Sequence, residues 1–292
     1  MDLHARLVAM GLAERLVGVL AADEVEELGG GHQSRVFRVV SHNGGVAVAK
    51  VLDASMVDRL ELEARLDVTT ALADLDPRVC RPLLIARQRV TEVTFADGED
   101  RYVVCFEFAD GLAPDPAKAA DAQRMGTTLW QLHASMSQLQ PTSLPLVTAL
   151  RAVPADGVPA AGARQLLHGD FNASNLREAG GVVRIFDLDD CGYGAPAFDI
   201  ANALYMVLFD SFALGTEQIY ETFRRSFLAG YVCASGSSVP EETLDRFIDL
   251  RIQALHAWLD DLDSAPIGIR TASRAWHATL RSFVARHPPA TY

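Results

Sequence analysis

His168-Gly169-Asp170-Phe171-Asn172-Ala173-Ser174-Asn175, with Asp187 twelve residues further on, decides the reading of this chain. A carboxylate, an amide five residues later and a second carboxylate after a short hairpin are what metal-assisted phosphoryl transfer requires. One acid takes the proton of an attacking hydroxyl, while an Asn and an Asp hold Mg²⁺ on nucleotide phosphates. The alternative is a turn capped by Asp and Asn, which are common turn residues. With only four Asn in 292 residues, this spacing is seldom met by chance.

On that reading Asp170 is the general base, a role worth about 10²–10⁴ in rate. Asn175 and Asp187 are the metal ligands, one a neutral amide oxygen and the other anionic, a set that suits Mg²⁺. Asp189 and Asp190 crowd the same turn, as further metal contacts or as plain turn caps.

Upstream, Lys50 lies in the apolar run Val46-Ala47-Val48-Ala49-Lys50-Val51, and only one other lysine, Lys118, is present. An ammonium buried there needs an anion, which an α/β-phosphate and a helix carboxylate would supply. Glu63 on the following helix is the preferred partner and Glu61 the alternative. Gly29-Gly30-Gly31-His32-Gln33-Ser34 precedes the first strand and could bring backbone N–H groups of Gly30, Gly31 and Ser34 to phosphates. It matches neither the dinucleotide fingerprint nor the P-loop.

The first part of the chain reads as strands. Residues 35–40 and 46–51 flank Asn43-Gly44-Gly45, a hairpin signal, and residues 90–96 pair with 102–108 across Asp97-Gly98. Val57 to Leu75 between them reads as a helix. A boundary falls at Ala109-Asp110-Gly111, giving a nucleotide-binding lobe over 1–109 and a catalytic, acceptor-binding lobe over 110–292. Beyond it Met125, Leu129, Leu132, Met136 and Leu139 form a helical stripe. A loop rich in Pro, Ala and Gly covers 153–163, and helices are expected near 200–212, 217–229, 241–263 and 271–286. Strands first and helices later imply an α+β, two-lobed chain.

Composition narrows the function. Hydrophobic residues make up 49%, enough for a sizeable core, and the net charge is −12. An acidic chain does not hold nucleic acid through its general field but attracts a cationic small molecule. Leu3 to Leu20 carries charges at His4, Arg6, Glu14 and Arg15 and reads as an amphipathic helix, not a signal peptide. No other run approaches the ~20 apolar residues of a membrane span, so a cytoplasmic location is expected. The four Cys are scattered, which excludes a zinc site or disulfide framework.

The chain resembles the aminoglycoside phosphotransferase and choline kinase-like group, which shares the protein-kinase fold. The shared parts come in that group's order. They are the Gly-rich turn, Lys50, Glu63, Glu107-Phe108-Ala109-Asp110-Gly111, Leu132-His133, the His168–Asn175 loop, Ile185-Phe186-Asp187 and Asp199-Ile200-Ala201. The resemblance implies a small antiparallel-sheet N-lobe and a mostly helical C-lobe, with ATP as donor and GTP as the alternative. It also implies that backbone at Glu107 and Ala109 meets the adenine, and that Asp199 braces the catalytic loop. Protein kinases carry His-Arg-Asp where Gly169 stands here, and Asp-Phe-Gly where residues 187–189 read Asp-Leu-Asp. No activation segment separates Asp187 from Asp199. These departures imply a small-molecule kinase not switched on by loop phosphorylation.

The acceptor should meet acidic groups of the helical half. Candidates are Asp190 and the patch Trp258, Asp260, Asp261 and Asp263, where an aromatic beside carboxylates suits an amine. The alternative for that patch is a solvated helix end. The first expectation is therefore an O-phosphotransferase acting on a cationic antibiotic, an aminoglycoside or a basic peptide. Alternatives are a metabolic kinase for homoserine, choline or a sugar, a nucleotide-binding regulator without catalysis and, lowest, a protein kinase.

Overall fold

The computed structural model describes residues 3–28, 34–139, 143–151, 164–270 and 272–287. It divides the chain into two compact units, the first holding residues 1–73, 80–108 and 266–268 and the second the remainder.

The first unit opens with helix α1 (Leu3–Leu20) and strands β1 (Ala22–Leu28), β2 (Arg35–Ser41) and β3 (Val46–Asp53). Helix α2 (Arg59–Leu75) and strands β4 (Pro82–Leu83), β5 (Thr91–Thr94) and β6 (Asp100–Glu107) follow. The strands make one antiparallel sheet in the order β1-β2-β3-β6-β4, with β5 also on β6. Both expected hairpins form, β2 on β3 and β5 on β6. β1 was not foreseen, because Ala-Asp-Glu-Val-Glu-Glu-Leu offers too few apolar residues to register as a strand; its pairing with β2 supplies the missing order.

Side chains alternate across a strand, so the two sheet faces carry different neighbours. Phe37, Ala49, Val51, Val103 and Cys105 pack with Leu12 and Leu16 of α1. Leu52, Tyr102 and Val104 pack with Leu62 and Leu66 of α2. Burial pushes the Cys105 thiol up to about 12, which leaves it an inert core residue.

The second unit contains α3 (Ala119–Met136), α4 (Thr148–Arg151), β7 (Gln165–Leu167), β8 (Leu176–Ala179), β9 (Val182–Ile185) and β10 (Gly192–Gly194). Helices α5 (Pro196–Leu214), α6 (Glu217–Ser235) and α7 (Glu241–Asp260) complete its core, with α9 (Arg274–Arg286) near the end after the short turn α8 (Ile267–Arg270). The expected stripe on α3 is buried at Met125, Leu129, Leu132 and Met136, but the helix ends at Met136 and Leu139 falls beyond it. The Pro, Ala and Gly loop expected over 153–163 lies outside the described residues.

Where α3 crosses α6 the backbones nearly touch. A Cβ at Gly126 would stand 2.0 Å from the Phe227 carbonyl, and one at Gly230 2.0 Å from that of Gln123. α5 corrects the expectation about apolar runs, being long and apolar enough by composition to cross a membrane. Two-thirds of that stretch, 67%, is buried within the protein. Its apolar character comes from being wrapped on nearly every side, and the buried polar residues it carries, Asp199 and Asn202, belong to the site.

Candidate active site

β7 runs antiparallel to β10 and delivers the chain into His168. Gly169 then takes φ +85°, and a Cβ there would stand 2.2 Å from the Asp190 carbonyl. Only glycine satisfies both conditions, so the loop folds directly against the Asp190 backbone.

Asp199, fully buried on α5, fixes the loop entrance. Its two oxygens accept the backbone N–H groups of His168 at 2.8 Å and Gly169 at 2.9 Å. The same carboxylate meets His133 Nε2 at 3.1 Å, and His133 Nδ1 meets the Tyr231 hydroxyl at 3.1 Å. Three contacts satisfy the buried charge where solvent cannot.

His168 is fully buried and works through both ring nitrogens. Nδ1 accepts the Asp170 N–H at 3.3 Å, which leaves Nε2 to donate to the Phe186 carbonyl at 3.1 Å. That pattern is the neutral Nε2–H tautomer, a fixed strut between the loop and the residue before Asp187.

Asp170 itself is half-buried and surrounded by amides. Asn172 Nδ2 donates to its carbonyl at 2.9 Å while the Asn172 side-chain oxygen caps the Ala173–Asn175 turn through the Ser174 N–H at 2.8 Å. The sequence reading gave Asn172 no role; the structure gives it this one. Asn175 Nδ2 donates both to the Asp170 carbonyl at 2.9 Å and to Oδ2 at 3.2 Å. Asn202 Nδ2 reaches Oδ1 at 3.2 Å.

Burial pushes the Asp170 carboxyl above the ordinary carboxylate range. The nearby Asp190 adds to the rise, while the Arg251 charge and the Asn202 hydrogen bond oppose it.

The residues expected to hold a metal converge through the backbone. The Phe186 N–H donates to the Asn175 carbonyl at 3.2 Å, which ties the strand leading to Asp187 to the turn carrying Asn175. Asp187 sits at φ +67°, a conformation that costs a non-glycine residue about 1–3 kcal/mol. Because the amide nitrogen of Asn175 is committed to Asp170, its oxygen is left as the acceptor. An amide oxygen and a carboxylate oxygen are hard donors of the kind Mg²⁺ takes alongside phosphate oxygens and water, so the residues present fit that ion.

Other expected residues fall elsewhere. Lys50 is buried in the first unit, only 6% exposed, opposite Val36 and Val104, with its ammonium 5.3 Å from the centre of the Phe106 ring. It shares the sheet face that packs on α2. The Glu63 carboxylate binds Arg59 Nε at 2.9 Å and is 44% exposed. Glu61 is paired with Arg65 and only 24% exposed. Residues two apart on a helix face opposite ways, so the two acids look to different sides of α2, and Glu61 is the less exposed of the two. The Glu107 N–H donates to the Arg81 carbonyl, so it is not offered to a nucleobase. Ser34 is a bend, and Gly30 and Gly31 lie outside the described residues.

On α7, Asp260 is exposed and meets His256 at 3.2 Å, and Asp261 and Asp263 follow the helix end, also exposed. Trp258 is half-buried. The α7 residue whose charge acts on Asp170 is Arg251, stacked 5.1 Å from the Tyr205 ring centre. Sequence reasoning missed Arg251, Tyr205 and Asn202, none of which belongs to a short motif. Nine residues, about 13 Å of helix, separate Arg251 from Asp260. A hollow of about 630 Å³ between α3 and β9, lined by Arg78, Gln123, Arg124 and Val183 among others, contains no carboxylate able to act on a hydroxyl.

The chain is similar to solved structures of several small-molecule kinases. An amicoumacin kinase in complex with AMP-PNP, Ca²⁺ and Ami shares 18% identity over 98% of this chain and 97% of that one, with a TM-score of 0.73. A microcompartment-associated aminopropanol kinase shares 20% identity over 94% of each chain, with a TM-score of 0.71. An aminoglycoside phosphotransferase from Streptomyces rimosus, in complex with ADP and streptomycin, shares 18% identity over 84% of this chain and 97% of that one, with a TM-score of 0.52. At these identities the likeness is one of fold, the two-lobed α+β kind with a sheet in the first lobe and helices in the second. No curated protein matches the chain by sequence. The profile of the phosphotransferase enzyme family matches residues 24–236. The chain belongs to that family, and is a phosphotransferase with an alcohol group as acceptor.

Proposed function

We propose that the protein moves the γ-phosphoryl group of ATP, with Mg²⁺, to a hydroxyl of a small cationic molecule, an antibiotic that the transfer inactivates. The observation that carries the chemistry is the Asp170 carboxylate, held at Oδ2 by Asn175 and at Oδ1 by Asn202 beside the Asn175–Asp187 pair. Asp170 orients the acceptor hydroxyl and takes its proton as the new P–O bond forms. Asn175 and Asp187 would hold Mg²⁺, which would supply positive charge to offset that of the phosphates. Lys50, with Glu61, would hold the α- and β-phosphates. GTP is the alternative donor.

A cationic acceptor is supported by the net charge of −12, by Asp190 beside Asp170, and by the likeness to an aminopropanol kinase and to an aminoglycoside phosphotransferase in complex with streptomycin. Two sizes of acceptor remain distinct. A multi-ring aminoglycoside or basic peptide could lie from Asp190 to the Trp258–Asp263 end of α7. A small amino alcohol would stop at Asp190 and Arg251, a metabolic reading favoured by the likeness to the aminopropanol kinase. The need for ATP makes the cytoplasm the proposed compartment. Nothing in the arrangement around Asp170 favours a regulator without catalysis.

ATP turnover measured against a panel of aminoglycosides, basic peptide antibiotics and amino alcohols tests this reading. Acceptor-dependent ADP release that is lost in Asp170→Ala is expected. Equal turnover in that variant would remove Asp170 from the reaction, and release with the amino alcohols alone would replace the antibiotic by the metabolic reading.

A further inference from the structure

Asn202 occupies the middle of α5, one turn after Asp199, and is fully buried. Asn is a poor helix-interior residue because its side chain competes with the backbone for hydrogen bonds. Here both amide hydrogens leave the helix: Nδ2 reaches Asp170 Oδ1 at 3.2 Å and the Phe171 carbonyl at 3.4 Å. The Asn202 oxygen is buried and meets no hydrogen-bond donor among the described residues. An unmet buried acceptor costs stability, and an apolar side chain of similar volume would not carry that cost. Tying the helix to the loop accounts for the bond to the Phe171 carbonyl but not for the one to the Asp170 carboxylate.

The geometry toward Asp170 accounts for that second bond. A carboxylate has about four lone-pair sites, and it can rotate about its bond to Cβ unless both oxygens are tethered. Asn175 holds Oδ2 at 3.2 Å from the loop, and Asn202 holds Oδ1 at 3.2 Å from the helix. The loop and the helix are themselves joined by Asp199, which binds the His168 and Gly169 N–H groups. Turning the Asn202 amide over would set its oxygen against Oδ1, acceptor facing acceptor. Only the orientation present attracts an ionised Asp170.

We infer that Asn202 is a positioning residue for the transfer: it fixes the rotation of the Asp170 carboxylate so that one lone pair faces the acceptor hydroxyl. The inference rests on Asp170 being the base. Without Asn202 the carboxylate keeps the Asn175 tether and can swing about it, and misplacement of a reacting group by about 1 Å costs on the order of a hundredfold in rate.

The experiment compares Asn202→Leu, Asn202→Asp and Asp170→Ala with the parent enzyme, using Mg-ATP and water as acceptor, so that no organic acceptor need be identified. In this reaction a water oxygen bonds to the γ-phosphorus, the bond to the β–γ bridging oxygen breaks, ADP leaves and Asp170 takes the water proton. Asn202→Leu is expected to lower kcat about ten- to hundredfold. KM for ATP and the melting temperature should hold or, for the latter, rise. The acid limb of the pH profile should move upward, because a hydrogen bond to the charged form has been removed. Asn202→Asp keeps the volume and removes the donor, so it should lose the same activity and serves if the Leu variant does not fold. Unchanged kcat in a folded Asn202 variant, beside an inactive Asp170→Ala, would overturn the positioning role alone. Full activity in Asp170→Ala would overturn the base assignment beneath it. A kcat loss that tracks a fall in melting temperature, with the pH profile unmoved, would make Asn202 structural and also defeat the inference.

Discussion

Gly169 and Asp190 touch through their backbones: the place a Cβ would take on Gly169 is 2.2 Å from the Asp190 carbonyl oxygen. Protein kinases set an Arg in this slot, and the contact explains why none fits here. The loop uses the space for direct packing of His168–Asp170 against the Asp190 turn. Gly169→Ala combines left-handed strain with an overlap against backbone, which cannot rotate away as a side chain can. We expect a loss of about 2–4 kcal/mol in urea unfolding, with activity falling further than stability because Asp170 is the next residue.

Asp199 is the counterpart on the helical side. Asp199→Ala strips the His168 and Gly169 N–H groups and His133 of their acceptor inside a solvent-free core. Removing one partner from such a buried set costs about 3–5 kcal/mol. Chemical denaturation should report that loss, and soluble variant should show activity lost with Asp170 intact. Asp199→Asn retains one acceptor oxygen for the two N–H groups and is expected to fall between parent and Ala.

How much of this was legible follows from range along the chain. The hairpins at Asn43-Gly44-Gly45 and Asp97-Gly98, helix α2 and the hairpin that leads into Asp187 were written in local pattern, where turn chemistry and periodicity act over a few residues. β1 was not, since its order comes from pairing with β2 and not from its own acid-rich composition. Glu61 against Glu63 was undecidable from spacing, because the choice turns on which side of α2 packs on the sheet. Asn202 reaches Asp170, and the Arg251 charge acts on it, from helices far along the chain, by packing that no short motif announces. Composition nonetheless held a trace: of the four Asn, three, Asn172, Asn175 and Asn202, donate to Asp170, and the fourth, Asn43, builds a hairpin turn.

Asp170 carries its carboxyl above the ordinary range, chiefly through burial. A raised carboxyl binds more protons in the folded state than in the unfolded one between the two pKa values. Stability therefore falls as pH rises through that window, and above it the folded protein bears the full cost of the charge. Asp170→Asn removes the cost. In chelator-treated protein the variant is expected to melt higher than the parent at neutral pH. The difference should shrink as the solution is acidified through the folded-state pKa. An inactive variant with raised stability is the signature of a residue held charged for function, and thermal melts across a pH series measure it.

The last expectation concerns the carboxylate that serves Lys50. Glu61 lies on the side of α2 with Val68 and Leu72, both buried, whereas Glu63 lies with Arg59 and Asp67 on the exposed side. The Arg59–Glu63 pair is a surface ion pair, worth about 0–1 kcal/mol. Glu63→Gln should leave both stability and nucleotide affinity within error of the parent. Glu61→Gln removes the less exposed of the two acids on α2, and if that anion serves the buried Lys50 ammonium the cation loses its partner. Nucleotide binding measured by calorimetry should therefore weaken in Glu61→Gln and not in Glu63→Gln. The opposite outcome would return the role to Glu63 through a rearrangement of its pair with Arg59.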